Sequence, residues 1–96
     1  ITGGGTTENP PRVFPEGCRA VIRPWAWPVP PVFRVLQEAG RVEEAEMRRT
    51  FNMGIGYVVV VRPEDAEPAR ALLHGAGESV FEIGEIEAGA RGVRYA

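Results

Sequence analysis

Thr2-Gly3-Gly4-Gly5-Thr6-Thr7 is the segment of this chain best suited to chemistry. Three consecutive glycines leave backbone N–H groups uncovered and permit positive φ angles. Such a loop, leading into a helix, can form a concave nest of donors for an anion, most often a phosphate. The threonine hydroxyls add donors, and Glu8 and Asn9 would stand at the rim. The alternative is a flexible terminal tail, because short glycine runs are common at chain ends. Phe51-Asn52-Met53-Gly54-Ile55-Gly56 is the second such segment. Its glycines, two apart, allow a ligand or another chain close to the backbone. Asn52 either takes a left-handed conformation and caps the preceding helix, or lines a cleft together with the Gly54 backbone.

Other residues offer less. Trp25 and Trp27 lie in a proline-rich loop, as an aromatic platform for a ligand or as cover for a core edge or another domain. His74, near a helix C-terminus, and the group Glu43, Glu44 and Glu46 read as solvated surface. Cys18 follows a turn glycine without a basic partner and reads as an inert thiol.

Composition removes whole classes of function. One cysteine and one histidine allow no internal disulfide and no zinc site of the usual ligand types, so no metal site is expected. Ser79 is the only serine and His74 sits in a helical pattern, which argues against a Ser-His-Asp triad. All 11 basic residues are arginine, so neither a Schiff-base lysine nor a P-loop lysine is present. A net charge of −2 with scattered arginines argues against a nucleic-acid surface. No apolar run approaches the ~20 residues of a membrane span, and nothing resembles a signal peptide. The single thiol fits a reducing compartment, and a cytoplasmic location is expected. At 96 residues the chain is one domain or a piece of one. It starts at Ile1 rather than Met, so a piece of a longer product is expected.

The elements that must position the two glycine segments follow from periodicity. Residues 1–12 read as a loop leading into a short helix, Pro15-Glu16-Gly17 as a turn, and Ala20-Val21-Ile22 as a short strand. Pro24 to Pro31 cannot be regular structure. Pro30-Pro31 opens a helix whose Val32, Val35, Leu36 and Ala39 share one face, with Gly40 as its stop. A second helix runs from about Val42 to Thr50, with Glu44 and Arg48 in the favourable order and Met47 and Phe51 on one face. Ile55 to Val61 has the look of a central strand covered on both faces. Pro63 to Ala76 gives a helix capped at Glu64 or Asp65, with Ala66, Ala69, Leu72, Leu73 and Ala76 inward and Gly77 closing it. Val80 to Ile86 is a strand, and Val93 to Tyr95 pairs back with it across a Gly89–Gly92 turn. The sum is an α/β (α+β) fold: a mixed sheet of three to four strands covered by about three helices, with a partly ferredoxin-like order.

Taken together, the two glycine segments resemble one family. Ile1-Thr2-Gly3-Gly4-Gly5, Thr7-Glu8-Asn9 and Pro11-Arg12 are similar to the glycine-rich signature of the phosphoribosylformylglycinamidine cyclo-ligases, also called AIR synthetases. The likeness continues through Trp27-Pro28-Val29-Pro30-Pro31, Phe33-Arg34 and Gln37-Glu38-Ala39-Gly40. It is strongest at Arg49-Thr50-Phe51-Asn52-Met53-Gly54-Ile55-Gly56, and ends with Pro63-Glu64-Asp65-Ala66 and Ile83-Gly84-Glu85-Ile86. Related families share the glycine loop but not the Arg-Thr-Phe-Asn-Met-Gly string. The family usually has aliphatic residues where Thr6 and Pro10 stand, and Pro10-Pro11 would shorten the helix after the loop.

The resemblance implies a step of purine synthesis, in which ATP and formylglycinamidine ribonucleotide give 5-aminoimidazole ribonucleotide, ADP and phosphate. It implies the later part of a C-terminal domain across residues 1–96, an incomplete domain. An N-terminal domain, absent here, handles ATP and Mg2+ and makes the homodimer. On this likeness Thr2, Gly3, Gly4, Gly5, Glu8, Asn9 and Arg12 belong to the substrate and phosphate side, and Asn52, Met53, Gly54 and Gly56 line a cleft. The chain alone is then expected to bind no cofactor, to be inactive, and to self-associate through surface that other segments cover. The competing expectation, from the residues alone, is a non-catalytic α/β binding module with a glycine-rich anion nest.

Overall fold

Ala20-Val21-Ile22 lies at the centre of the sheet in the computed structural model, which describes residues 3–96. Strand β1 (Cys18–Ile22) pairs antiparallel with β2 (Gly84–Ala88), Cys18 opposite Ala88 and Ile22 opposite Gly84. Its other edge pairs parallel with β3 (Gly92–Tyr95), Ala20 beside Val93 and Ile22 beside Tyr95. The order is therefore β2-β1-β3. Side chains alternate between the faces of a strand. Ala20 and Ile22 enter the core with Phe14, Trp27, Phe33, Met47 and Met53, and Val93 and Tyr95 pack against it. The opposite face carries charge: the Glu87 carboxylate accepts hydrogen bonds from Arg19 at 2.7 Å and Arg94 at 2.9 Å. The Arg19 hydrogen bond, then that of Arg94, holds the Glu87 carboxyl below its ordinary range.

Helix α1 (Gly5–Glu8) is only four residues long, and a 3-10 turn (Pro10–Val13) follows it. Pro10 and Pro11 account for the change, since neither offers the N–H that an α-helix needs. Helix α2 (Pro31–Gly40) starts on a proline in its first turn and ends at Arg41, which takes the left-handed conformation beyond Gly40. Helix α3 (Glu44–Thr50) buries Met47 completely, and Phe51, just beyond it, meets Phe33 edge to face at 5.6 Å. A 3-10 turn (Pro63–Asp65) leads into α4 (Ala66–Gly75), with Asp65 at the N-cap and Pro68 in the first turn. Among the described residues this gives a mixed three-stranded sheet with four α-helices, the α/β class expected from the sequence.

Several expectations are corrected. Val93–Tyr95 does not pair back on the strand before it. The connection from Ala88 to Gly92 passes the start of β1, where the Gly89 N–H donates to the Gly17 carbonyl at 2.9 Å, and β3 takes the far edge of β1. The apolar β1 thereby has both edges paired, which its buried backbone requires. The strand expected over Val80–Ile86 is displaced to Gly84–Ala88. Ile55–Val61 forms no ladder, and Tyr57 is 88% exposed with Val58 to Val61 at 42–57%. Ile55 packs against the core, but both edges of β1 are taken, so the described residues give Tyr57–Val61 neither a neighbouring strand nor a covering layer. The faces expected inward on α2 and α4 are also largely exposed: Val32, Val35 and Leu36 on one, Leu72 and Ala76 on the other. Phe33 is the α2 residue that reaches the core instead. Glu44 and Arg48 form no ion pair among the described residues; Arg49 pairs with Glu46 at 3.7 Å.

The consequence is an open molecule. Its surface is 6764 Å², where a folded monomer of this mass exposes roughly 5,400 Å². Its radius of gyration is 14.0 Å, against about 12.5 Å for a compact chain of this length.

Candidate functional site

The two glycine segments meet, and Gly5 makes the junction. A Cβ on Gly5 would overlap the Arg48 carbonyl oxygen and lie 2.5 Å from that of Phe51. The start of α1 therefore rests directly on the C-terminal carbonyls of α3, an approach only glycine permits. Gly4, at φ 96°, turns the chain into the helix through the left-handed region. Gly3 is exposed, and a Cβ there would meet nothing within 4 Å. The three glycines thus have separate tasks: close packing at Gly5, the turn at Gly4, and open space at Gly3. The first N–H groups of a helix have no carbonyl one turn back inside it.

The polar side chains around the loop are mostly occupied in holding it. Asn9 is not a free rim donor: its Nδ2 donates to the carbonyls of Gly3 and Gly5, each at 3.1 Å, and so clamps the loop from behind. The threonines do not face outward either. Thr6 Oγ1 and Thr7 Oγ1 lie 2.7 and 2.8 Å from the Tyr95 hydroxyl, and Thr6 Oγ1 also donates to the Arg48 carbonyl at 3.4 Å. The Arg48 guanidinium stacks over the Tyr95 ring at 4.6 Å. Glu8 and Arg12 are exposed, Arg12 within the 3-10 turn. Thr2 lies outside the described residues.

The second segment is a tight turn over Asn52–Ile55, closed by the Ile55 N–H on the Asn52 carbonyl at 3.1 Å. Its central residues, Met53 and Gly54, have φ 55° and 99°, the signs of a type I′ turn. The left-handed residue is therefore Met53 and not Asn52. Asn52 braces the turn instead, donating from Nδ2 to the Ile55 carbonyl at 2.8 Å and accepting the Gly54 N–H at 3.3 Å. A left-handed methionine is strained by about 1–2 kcal/mol. Burial of its side chain holds it, together with the 3.0 Å hydrogen bond from Trp27 Nε1 to its carbonyl. Gly54 is approached by this chain's own Pro30, whose Cδ would lie 2.5 Å from a Cβ. Gly56 stands in open space.

Between the loop and the turn is a small cavity of about 90 Å³, lined by Thr6, Trp27, Glu44, Arg48, Met53 and Tyr95 among others. Of the residues expected at a cleft, only Met53 lines it; Asn52, Gly54 and Gly56 do not. Trp27 is buried and forms part of the core, whereas Trp25 is 72% exposed with Arg23 over its ring at 5.9 Å. The sequence pattern did not single out Arg48, Tyr95 or Trp27 as supports of the site. Tyr95 stands 89 positions from Thr6, and no local signal connects them.

The family described as AIR synthase related protein, C-terminal domain, matches residues 1–96. A protein of Desulfitobacterium hafniense named phosphoribosylformylglycinamidine cyclo-ligase is 54% identical over 95 residues, covering 99% of this chain and 28% of its own length. The Methylobacillus flagellatus protein of that name is 56% identical over 88 residues, 92% of this chain and 25% of its own. A Vigna unguiculata protein, named phosphoribosylformylglycinamidine cyclo-ligase, chloroplastic/mitochondrial, is 58% identical over 90 residues, 93% of this chain and 23% of its own. The chain thus spans about a quarter of the length of these relatives. With its two glycine segments joined at Gly5 and a match along its whole length, the chain belongs to the AIR synthase related protein C-terminal domain family.

Proposed function

We propose that this chain is the substrate-side part of a phosphoribosylformylglycinamidine cyclo-ligase, the purine-biosynthetic ligase of its relatives' name. In the complete enzyme ATP and formylglycinamidine ribonucleotide give 5-aminoimidazole ribonucleotide, ADP and phosphate. The observation that carries the reading is the Gly5 junction, which seats the glycine loop on the fixed end of α3. In this reading the Gly3–Gly5 backbone seats an anionic group of the ribonucleotide. The N–H dipoles are aimed before the ligand arrives, so little reorganisation accompanies binding. Glu8 and Arg12, at the exposed rim, meet the rest of the substrate.

The chain's residues do not supply the whole reaction. Among the described residues no three of His, Cys, Asp and Glu come together. The proposal assigns Mg2+ and ATP to an N-terminal domain, which also forms the homodimer, and gives this chain the tasks of binding and orienting. The chain alone is then inactive. No helix among the described residues is long and apolar enough to cross a membrane, and a cytoplasmic location is part of the proposal.

The test is steady-state kinetics of the complete enzyme. Gly3→Val adds a side chain where nothing else stands, so it blocks the seat without touching the fold. The expected result is a raised KM for formylglycinamidine ribonucleotide with the ATP KM unchanged. Normal kinetics in this variant, or phosphate release by the isolated chain, would refute the reading.

A further inference from the structure

Tyr95 is the last residue of β3, at the opposite end of the chain from the glycine loop. Its hydroxyl lies between two hydroxyls of the helix that the loop opens, 2.7 Å from Thr6 Oγ1 and 2.8 Å from Thr7 Oγ1. Its ring is half-buried against the core and covered by the Arg48 guanidinium at 4.6 Å. Arg48 in turn offers its carbonyl to Thr6 Oγ1 and to the close contact with Gly5. One phenol thus ties the first turn of α1 to the sheet, and the residue stacked on it belongs to the helix on which Gly5 rests. We infer that Tyr95 is a positioning residue for the glycine loop: its hydroxyl fixes the first turn of α1, and with it the Gly3–Gly5 backbone, relative to the sheet. The inference rests on the reading of that loop as the seat of the ribonucleotide's anionic group.

Among the described residues no other side chain of the sheet hydrogen-bonds to α1. A serine or threonine at position 95 would be too short to reach α1, and a phenylalanine would keep the ring but release Thr7 and leave Thr6 with only its 3.4 Å hydrogen bond to the Arg48 carbonyl. Without the Tyr95 hydroxyl the four-residue helix keeps its contact with the α3 carbonyls at Gly5 but loses its tie to the sheet, so the loop can rock about that contact, and the Asn9 clamp fixes the loop only to itself. Catalytic loops tolerate little such freedom, since a small misplacement of a binding group weakens an oriented contact.

The experiment uses the complete enzyme and three variants: Tyr95→Phe, Thr6→Val with Thr7→Val, and all three changes together. Loss of a hydrogen bond of this kind corresponds to a binding change of about threefold to tenfold. The proposal predicts that rise in the KM for formylglycinamidine ribonucleotide in Tyr95→Phe, with kcat and the ATP KM within twofold of the parent. The threonine pair should give at least that rise, since it also loses the Thr6 bond to the Arg48 carbonyl, and the triple variant no rise beyond the threonine pair, because the Tyr95 linkage is already gone there. A fall in apparent kcat at unchanged KM would mean that Tyr95 only stabilises the fold, and overturns the assignment. Additive effects in the triple variant also overturn it. Gly3→Val in the same assay separates the two readings. If Gly3→Val raises KM and Tyr95→Phe does not, the positioning role alone fails. If Gly3→Val leaves KM unchanged, the loop is not the seat, and both readings fail.

Discussion

Replacing Gly5 by alanine tests the packing on which the site depends. The added Cβ would overlap the Arg48 carbonyl and lie 2.5 Å from that of Phe51. Both oxygens belong to backbone at the end of α3, so neither can swing aside as a flexible side chain would. Alanine must also hold φ near 54°, which disfavours an L-residue by about 1–2 kcal/mol. Overpacking against fixed atoms adds about 1–3 kcal/mol. The sum, about 2–5 kcal/mol, is large beside the roughly 5–15 kcal/mol that separates a folded domain from its unfolded chain. Urea denaturation of the 96-residue chain, followed by the fluorescence of buried Trp27, reads the effect. With a slope near the lower end of the usual range, about 1–1.5 kcal/mol per molar urea, the midpoint should fall by about 2 M or the variant should be unfolded from the start. Gly3→Ala is the control: its Cβ meets nothing, and its midpoint should match the parent within about 0.3 M. Equal midpoints for Gly5→Ala and Gly3→Ala would refute the claim that α1 rests on the α3 carbonyls.

Two further predictions concern the rest of the fold. Glu87, held below its ordinary pKa by Arg19 and then Arg94, contributes stability above the unfolded carboxyl value of about 4.3 and loses it as pH falls through the lower folded value. Thermal melts should therefore show the parent ahead of Glu87→Gln by a constant margin at neutral pH, a margin that shrinks below about pH 4; a margin unchanged in acid would remove the cross-sheet linkage from the account. The surface of one chain exceeds that of a compact chain by roughly 1,300 Å², more than the ~800 Å² per partner that a standard specific interface buries, and the unpaired Tyr57–Val61 run lies within the exposed part. Sedimentation equilibrium at micromolar concentration should find the isolated chain as a dimer, and a clean monomer with a cooperative melt would show that it is self-sufficient.

What could be read from the sequence was what short-range rules govern. Pro31 at a helix start, Asp65 at an N-cap and the strand core at Ala20–Ile22 are positions where one residue and its neighbours decide the conformation. The two glycine segments were likewise visible, because glycine runs and an Asn-Met-Gly string change backbone freedom locally. The failures share a different cause. Ile55–Val61 has the composition of a buried strand, but a strand exists only where another strand accepts its hydrogen bonds, and composition does not provide that neighbour. Sequence proximity points Val93–Tyr95 at the strand before it, whereas the central place of β1 decides its partner. At the site, the roles of Asn9 and the threonines were inverted for the same reason. Their polar atoms look available in the sequence, and only the fold brings the Gly3 carbonyl and the Tyr95 hydroxyl close enough to occupy them.

The proposed function requires that the Gly3–Gly5 backbone seat the anionic end of the ribonucleotide. The most direct measurement is a titration of the complete enzyme, labelled with 15N only at glycine, against formylglycinamidine ribonucleotide. Amide N–H groups that take up an anion move downfield and saturate with the ligand. The account predicts that the signals of Gly3, Gly4 and Gly5 move together along one binding curve, while Gly75 and Gly77, at the far end of α4, stay in place. Unmoved signals from Gly3 to Gly5 at saturating substrate would contradict it.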